Sequence, residues 1–389
     1  VGEGRAAIAT SGGVDSTACA ALAHRALGDR LICFFLDTGF MREGEVEEVR
    51  NLLTSLGLPL KVLSVRERFL EALRGKEDAE AKRVAFRETF YTVLGEAARA
   101  EGCRIMIQGT IAPDWIETSG GIKTQHNVLE QLGVDTVGRF GFRILEPLLE
   151  LYKDQVRALA RYLGARVEAS ERQPFPGPGL MVRCIGEVTA EKIDVLRAAT
   201  CVVEEELGRL RPPPGQYLAA IADDRRSAAG EGVASAAASA AAVAAAAAGL
   251  VPGARVEYLK GRATGVKGDE RAYGRMVIVS GDDNGNGDGD GDGKGGREPS
   301  ELFGLPERVI HEDPDVVRVL YTVGTGRGTG RGSYVVIVRA VDTRDFMTAK
   351  PTAVPLVVLK RIAERVLSDK VSTVCYDLTS KPPATVEFE

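Results

Sequence analysis

The chain has 389 residues, of which 27% are charged, with a formal net charge of -5 and a pI near 5.6. That length exceeds one ordinary core and fits two domains plus inserts, while the acidic balance argues against non-specific nucleic-acid binding, which shows as a basic stripe. Cys19, Cys33, Cys103, Cys184, Cys201 and Cys375 stand singly, with no C-x-x-C pair for zinc or redox chemistry, and no apolar run is long enough to cross a bilayer. The expectation is a cytoplasmic protein with reduced thiols, away from membrane and nucleic acid.

In chain order, short apolar runs at Ala6 to Ala9, Leu31 to Leu36, Leu60 to Val65 and Ile105 to Ile107 are each followed by an amphipathic stretch. This alternation predicts an α/β domain built on an open parallel sheet covered on both faces. Ligands of such sheets sit beyond the carboxyl ends of the strands, so the segments after Ala9, Leu36 and Ile107 are where chemistry is sought. The Pro/Gly cluster from Pro174 to Gly179 excludes helix and sets a boundary: a first domain of residues 1–178 and a second of residues 179–389.

In the second domain the pattern predicts a helix from Thr189 to Leu207 and strands at Gln216 to Ile221, Arg275 to Val279 and Tyr334 to Val341. A helix from Pro355 to Leu367 and a strand at Thr373 to Tyr376 follow, a smaller α+β arrangement. The Ala-rich stretch at about 227–249 and the Gly/Asp-rich stretch at about 281–297 read as low-complexity surface inserts, because neither offers large apolar side chains to offset the entropy of ordering. Asp288-Gly-Asp-Gly-Asp-Gly293 begins like an EF-hand loop, yet its twelfth position is Pro299, so a solvated acidic linker is expected. The Gly/Thr/Arg run from Gly326 to Arg331 has too few arginines to neutralise much phosphate and reads as a hairpin loop.

The strongest signal is Ser11-Gly-Gly-Val-Asp-Ser16, after a buried-strand pattern and before an amphipathic run through Ala18, Leu22 and Ala26. Glycines let the backbone approach a ligand, and a helix N-terminus offers unpaired N–H groups to an anion. The plainer alternative is a tight strand-to-helix turn with Ser and Asp as caps. The six residues resemble the PP-loop of the N-type ATP pyrophosphatases. Further matches, in order, are Asp37 to Arg42, Gln108 to Asp114, Ile122 to Val128, Glu146-Pro-Leu148 with Lys153-Asp154, Arg172 to Leu180, Ile185 to Val188, Gly265 to Asp269, Asp345 to Ala349 and Thr379 to Glu387. Together they resemble the synthetase part of GMP synthases over essentially the whole chain apart from the inserts and the stretch near Gly324 to Gly332.

The resemblance implies ATP and Mg2+ as cofactors, with Ser11, Gly12, Gly13, Val14, Asp15 and Ser16 on the phosphates, Asp15 on the metal, Leu36 by the adenine and Gly109 by the nucleoside. Lys123 resembles the lysine of a mobile lid over the phosphates, and Asp15 and Lys123 are the expected catalytic pair. For the acceptor, xanthosine monophosphate in the family, the matching positions are Arg83, Gln216, Lys381, Val386 and Glu387. The activity implied is a carbon-nitrogen ligase that adenylates the acceptor and lets ammonia displace AMP. The sequence shows no G-x-C-x-G elbow for a glutaminase, which leaves a separate glutamine amidotransferase subunit or free ammonia as the source; the resemblance favours the separate subunit and implies a homodimer through the second domain.

Some positions depart from the family. Thr373 stands where an arginine is expected to meet the acceptor phosphate, and a hydroxyl cannot replace a guanidinium fork. Gln125 and Gln173 replace histidines, and Arg87 replaces a glycine. Two alternatives follow: a paralogous ATP pyrophosphatase that amidates or thiolates another acceptor, and an ATP-binding scaffold without turnover.

Overall fold

The computed structural model describes residues 1–114, 135–165, 173, 175–227, 236–268, 270–281, 297–326, 333–343 and 348–389, with the backbone alone for 236–239, 267 and 270. The chain forms two compact units, one of Val1–Leu73 with Ala81–Pro178, the other of Arg74–Glu80 with Gly179–Glu389. No helix among the described residues is long and apolar enough to cross a membrane.

In the first unit, strands β1 (Arg5–Ala9), β2 (Leu31–Asp37), β3 (Leu60–Ser64), β4 (Cys103–Ile107) and β5 (Arg143–Leu145) form a parallel sheet in the order β3-β2-β1-β4-β5. The period of two decides which side each residue faces. Ala6, Ile8, Leu31, Cys33 and Phe35 join one core with α1 (Val14–Leu27), α2 (Glu45–Ser55) and α6 (Lys153–Tyr162). Ala7, Ile32, Phe34 and Leu36 join the opposite core with α4 (Ala79–Ala100) and α5 (Thr136–Phe140). Each fully buried phenylalanine there contributes about 1.5–3 kcal/mol, which makes the strand ends a firm platform. The helix α3 (Arg66–Leu73) follows β3. Because the chain adds β2 and β3 on one side of β1 and then β4 and β5 on the other, a crevice opens beyond the carboxyl ends of β1 and β4. The parallel sheet expected from the apolar runs is present, with β5 as an additional edge strand.

In the second unit, α7 (Ala190–Gly208) starts where Thr189 Oγ1 accepts the Lys192 N–H at 3.2 Å, a side-chain N-cap. The strands are β6 (Gln216–Asp223), β7 (Arg226–Ser227), β8 (Arg255–Lys267), β9 (Glu270–Ser280), β10 (Val316–Thr325), β11 (Tyr334–Asp342), β12 (Lys350–Pro351) and β13 (Val371–Asp377). They make a mixed sheet in the order β12-β11-β13-β10-β9-β8-β7, with β6 pairing β11. Helices α8 (Ala236–Ala248), α9 (Leu305–Glu312) and α10 (Leu356–Val366) belong to the same unit.

The Ala-rich segment differs from its reading as an undocked insert. Residues 236–248 form α8, which buries Val243 and Ala247 completely and packs against α9 and β8. Alanine has the highest helix propensity, and its small side chain permits close approach, so one valine suffices as an anchor. Residues 282–296 and 327–332 lie outside the described residues, and with them both the acidic linker and most of the Gly/Arg run.

Candidate active site

β1 ends at Ala9, and Thr10 N–H donates to Phe34 O at 2.8 Å, which fixes the exit of the chain toward Ser11. Gly12 then adopts φ +76, and a Cβ there would lie 2.6 Å from Val49 Cγ2. Only glycine fits this turn without strain or clash. The turn is held by its own hydroxyls: Ser11 N–H donates to Ser16 Oγ at 3.2 Å, and Ser16 Oγ donates to Gly13 O at 3.1 Å. Helix α1 begins at Val14 with Gly13 as N-cap and no side-chain cap. Among the described residues, the main-chain N–H groups of Gly12, Val14, Asp15 and Ser16 meet no acceptor. A helix N-terminus with open donors and its positive dipole end is suited to an anion.

A cavity of about 310 Å³ lies against this turn. Ser11, Gly13, Asp15, Ser16, Leu36 and Gly109 line it, as does Arg83, which was expected with the acceptor residues. Gly12 and Val14 are not on its wall; Gly12 turns the chain, and Val14 packs on the core of the first unit. Gly109 makes the close approach: a Cβ would come within 3.1 Å of the Asp15 backbone. Lys123 lies outside the described residues.

Asp15 is the charged centre of the turn. Lys153 Nζ donates to its Oδ2 at 2.5 Å, while Oδ1 is buried without a partner among the described residues. That orphaned oxygen beside the anion cradle fits a hard cation such as magnesium, which takes one or two carboxylates and completes its shell from phosphates and water. Among the described residues no group of three or more His, Cys, Asp or Glu is arranged to hold a metal ion.

The other expected acceptor residues belong to the second unit. Gln216 opens β6 with a buried Oε1 that has no partner among the described residues. Lys381 pairs its backbone with Ala349 in both directions, at 2.7 and 3.0 Å. Val386 packs on the second core, and Glu387 receives two hydrogen bonds from Arg183.

Residues 1–169 match the PP-loop domain and residues 315–388 the GMP synthase C terminal domain. A glutamine-hydrolyzing GMP synthase subunit of Sulfurisphaera tokodaii is 43% identical over 387 residues, which cover 100% of this chain and 95% of that relative. The chain belongs to the GMP synthase family. The corresponding GMP synthase subunit of Saccharolobus islandicus is 41% identical over 391 residues, with 100% and 95% covered. That of Archaeoglobus fulgidus is 38% identical, with 100% and 94% covered. Among solved structures, an NH3-dependent NAD synthetase from Campylobacter jejuni aligns over 43% of this chain and 66% of its own, at 20% identity and a TM-score of 0.34.

Within this GMP synthase family chain, sequence reading did not single out Lys153 as a site residue, because its partner Asp15 is 138 positions away. It also passed over Phe86 and Phe90, which wall the cavity with Arg83 and Arg87. Their signal was the spacing: Arg83, Arg87 and Phe90 fall on one face of α4 at i, i+4 and i+7. Thr373 departs from its expectation. It is 2% exposed within β13, and its hydroxyl accepts from Arg226 on β7, whose guanidinium also pairs with Asp224 and Glu257. Thr373 is thus tied by its hydroxyl to an arginine of a second strand.

Proposed function

We propose that the chain catalyses ATP-dependent amination of xanthosine monophosphate to GMP, releasing AMP and pyrophosphate, with ammonia delivered by a separate glutaminase subunit. The acceptor's carbonyl oxygen attacks the α-phosphate of ATP, and pyrophosphate leaves toward the turn Ser11 to Ser16. Ammonia then attacks the adenylated carbon, AMP departs with its oxygen, and the amine remains. The open N–H donors of Asp15 and Ser16, both on the cavity wall, stabilise the charge that builds on the leaving group, which is where preorganised donors gain most. Lys153 adds a positive charge at the same place, and Lys123 supplies another from the lid that the family resemblance implies. Asp15 Oδ1 would hold magnesium, and the ion would supply neutralisation of phosphate charge. Leu36 and Gly109 flank the nucleoside of ATP, and Arg83, Gln216, Lys381, Val386 and Glu387 take the acceptor.

The observation that carries this reading is the N-terminus of α1 opening onto a 310 Å³ cavity, with N–H donors and an adjacent carboxylate oxygen that meet no partner among the described residues. Resemblance to the family further supports a homodimer through the second unit. The test is pyrophosphate release from ATP, magnesium and ammonium across candidate nucleotides. Release dependent on xanthosine monophosphate is expected; release with another acceptor instead, or with none, overturns the assignment.

A further inference from the structure

We propose that Arg183 is a positioning residue for acceptor recognition, holding the Glu387 carboxylate in the geometry that receives hydrogen-bond donors of the nucleotide; this rests on the reading of Glu387 as an acceptor contact. Arg183 ends the short 3-10 turn Gly179–Arg183 and is 1% exposed, whereas the Glu387 side chain is 21% exposed. Its Nε donates to Glu387 Oε2 and its Nη2 to Oε1, both at 2.9 Å. This parallel fork fixes the plane of the carboxylate, which a single contact would leave free to rotate.

The same residue is held at its other end. Arg318 Nη2 donates to Glu387 O at 2.7 Å and to Thr385 Oγ1 at 3.0 Å, and its guanidinium lies 4.0 Å from the centre of the Phe388 ring. Glu389 N–H donates to Val182 O at 2.9 Å, so the chain on either side of Glu387 is also pinned. Glu387 is thus fixed in backbone and side chain before any ligand arrives, and little ordering entropy remains to be lost on binding.

Charge gives the arrangement its second effect. A bare carboxylate would repel an anionic nucleotide, but the guanidinium of Arg183 cancels that charge while each oxygen keeps a lone pair for a neutral donor. The group it suits is a hydroxyl or ring N–H of the acceptor rather than its phosphate. Lysine at position 183 would keep the charge and lose the fork.

The full chain with ATP, magnesium and saturating ammonium is assayed for kcat and for KM of xanthosine monophosphate and of ATP. Glu387→Gln and Arg183→Lys are each expected to raise the acceptor KM roughly ten-fold while kcat and the ATP KM stay within about two-fold, the signature of lost uniform binding. The double variant is expected to be no worse than the poorer single one. An unchanged acceptor KM in Glu387→Gln overturns the role of Glu387 itself. A raised KM there with an unchanged KM in Arg183→Lys, or effects that multiply in the double variant, overturns the positioning role alone. Should Arg183→Lys fail to fold, Glu387→Asp keeps the charge but draws the carboxylate one methylene away; the same rise in KM is expected, and an unchanged KM overturns the proposal.

Discussion

Lys153 Nζ lies 2.5 Å from Asp15 Oδ2, an ion pair that ties the first turn of α6 to the first turn of α1. Both side chains are partly exposed, so the pair adds only about 0–1 kcal/mol to stability. Its electrostatic value toward a leaving pyrophosphate is larger, because charge develops there during the reaction. Lys153→Met is expected to lower kcat/KM for ATP by roughly 10²-fold, with a thermal midpoint close to that of the unaltered chain. Steady-state pyrophosphate release and a melting curve check this; unchanged kinetics would refute the role.

Gly12→Ala tests the turn itself. A Cβ at φ +76 is strained, and it would meet Val49 Cγ2 at 2.6 Å. Strain of this kind costs about 1–3 kcal/mol, and relief by moving the loop would misdirect the donors of Asp15 and Ser16. Urea unfolding is expected to show that loss, and nucleotide titration a weakened ATP affinity. A variant as stable and as tight as its parent would mean the loop tolerates another conformation.

The first unit was legible because its physics is local. Ala6 and Ile8 face one core and Ala7 the other, so a short run of residues reports both the strand and the double coverage. The turn Ser11 to Ser16 is equally local. Partners set by tertiary contact were not: nothing near Lys153 points to Asp15, and β10, where Arg318 is fully buried against Asp377, was not among the expected strands. The helix α8 was missed for a different reason, since alanine carries too little apolar contrast for a periodic stripe even where Val243 and Ala247 are buried.

Restoring the family arginine by Thr373→Arg looks from sequence like a gain in acceptor affinity. The structure reverses that expectation. Position 373 is buried, and its hydroxyl already receives the Arg226 guanidinium, so a new arginine would be forced beside a like charge inside the sheet. A destabilisation of about 1–3 kcal/mol from overpacking is expected, with no fall in the acceptor KM. Pairing it with Arg226→Thr should recover much of the lost stability, because the charge is then moved instead of doubled. Denaturant midpoints of the single and double variants decide; a stable single variant with improved KM would show that position 373 does reach the acceptor.

Asp377 is buried completely, and its Oδ2 accepts from Arg318 at 2.8 Å and from Arg339 at 2.6 Å, while Oδ1 accepts the Thr379 N–H at 2.9 Å. Burial alone would raise its pKa, but the guanidiniums of Arg339 and Arg318 hold the carboxyl below its usual range. Asp377→Asn leaves two buried guanidiniums without a counter-charge, and removing one partner of such a cluster costs about 3–5 kcal/mol. The pH dependence has a definite sign. A carboxyl depressed on folding stabilises the chain fully above its unfolded value of about 3.9, and that contribution fades as pH falls through the folded value below it. The stability gap between the unaltered chain and Asp377→Asn should therefore be constant near neutrality and should narrow as the pH drops below about 4. Urea titrations across that range measure the gap directly. If it stays the same in acid, the carboxylate's charge is not what holds Arg318, and through it Glu387 and Thr385, in place.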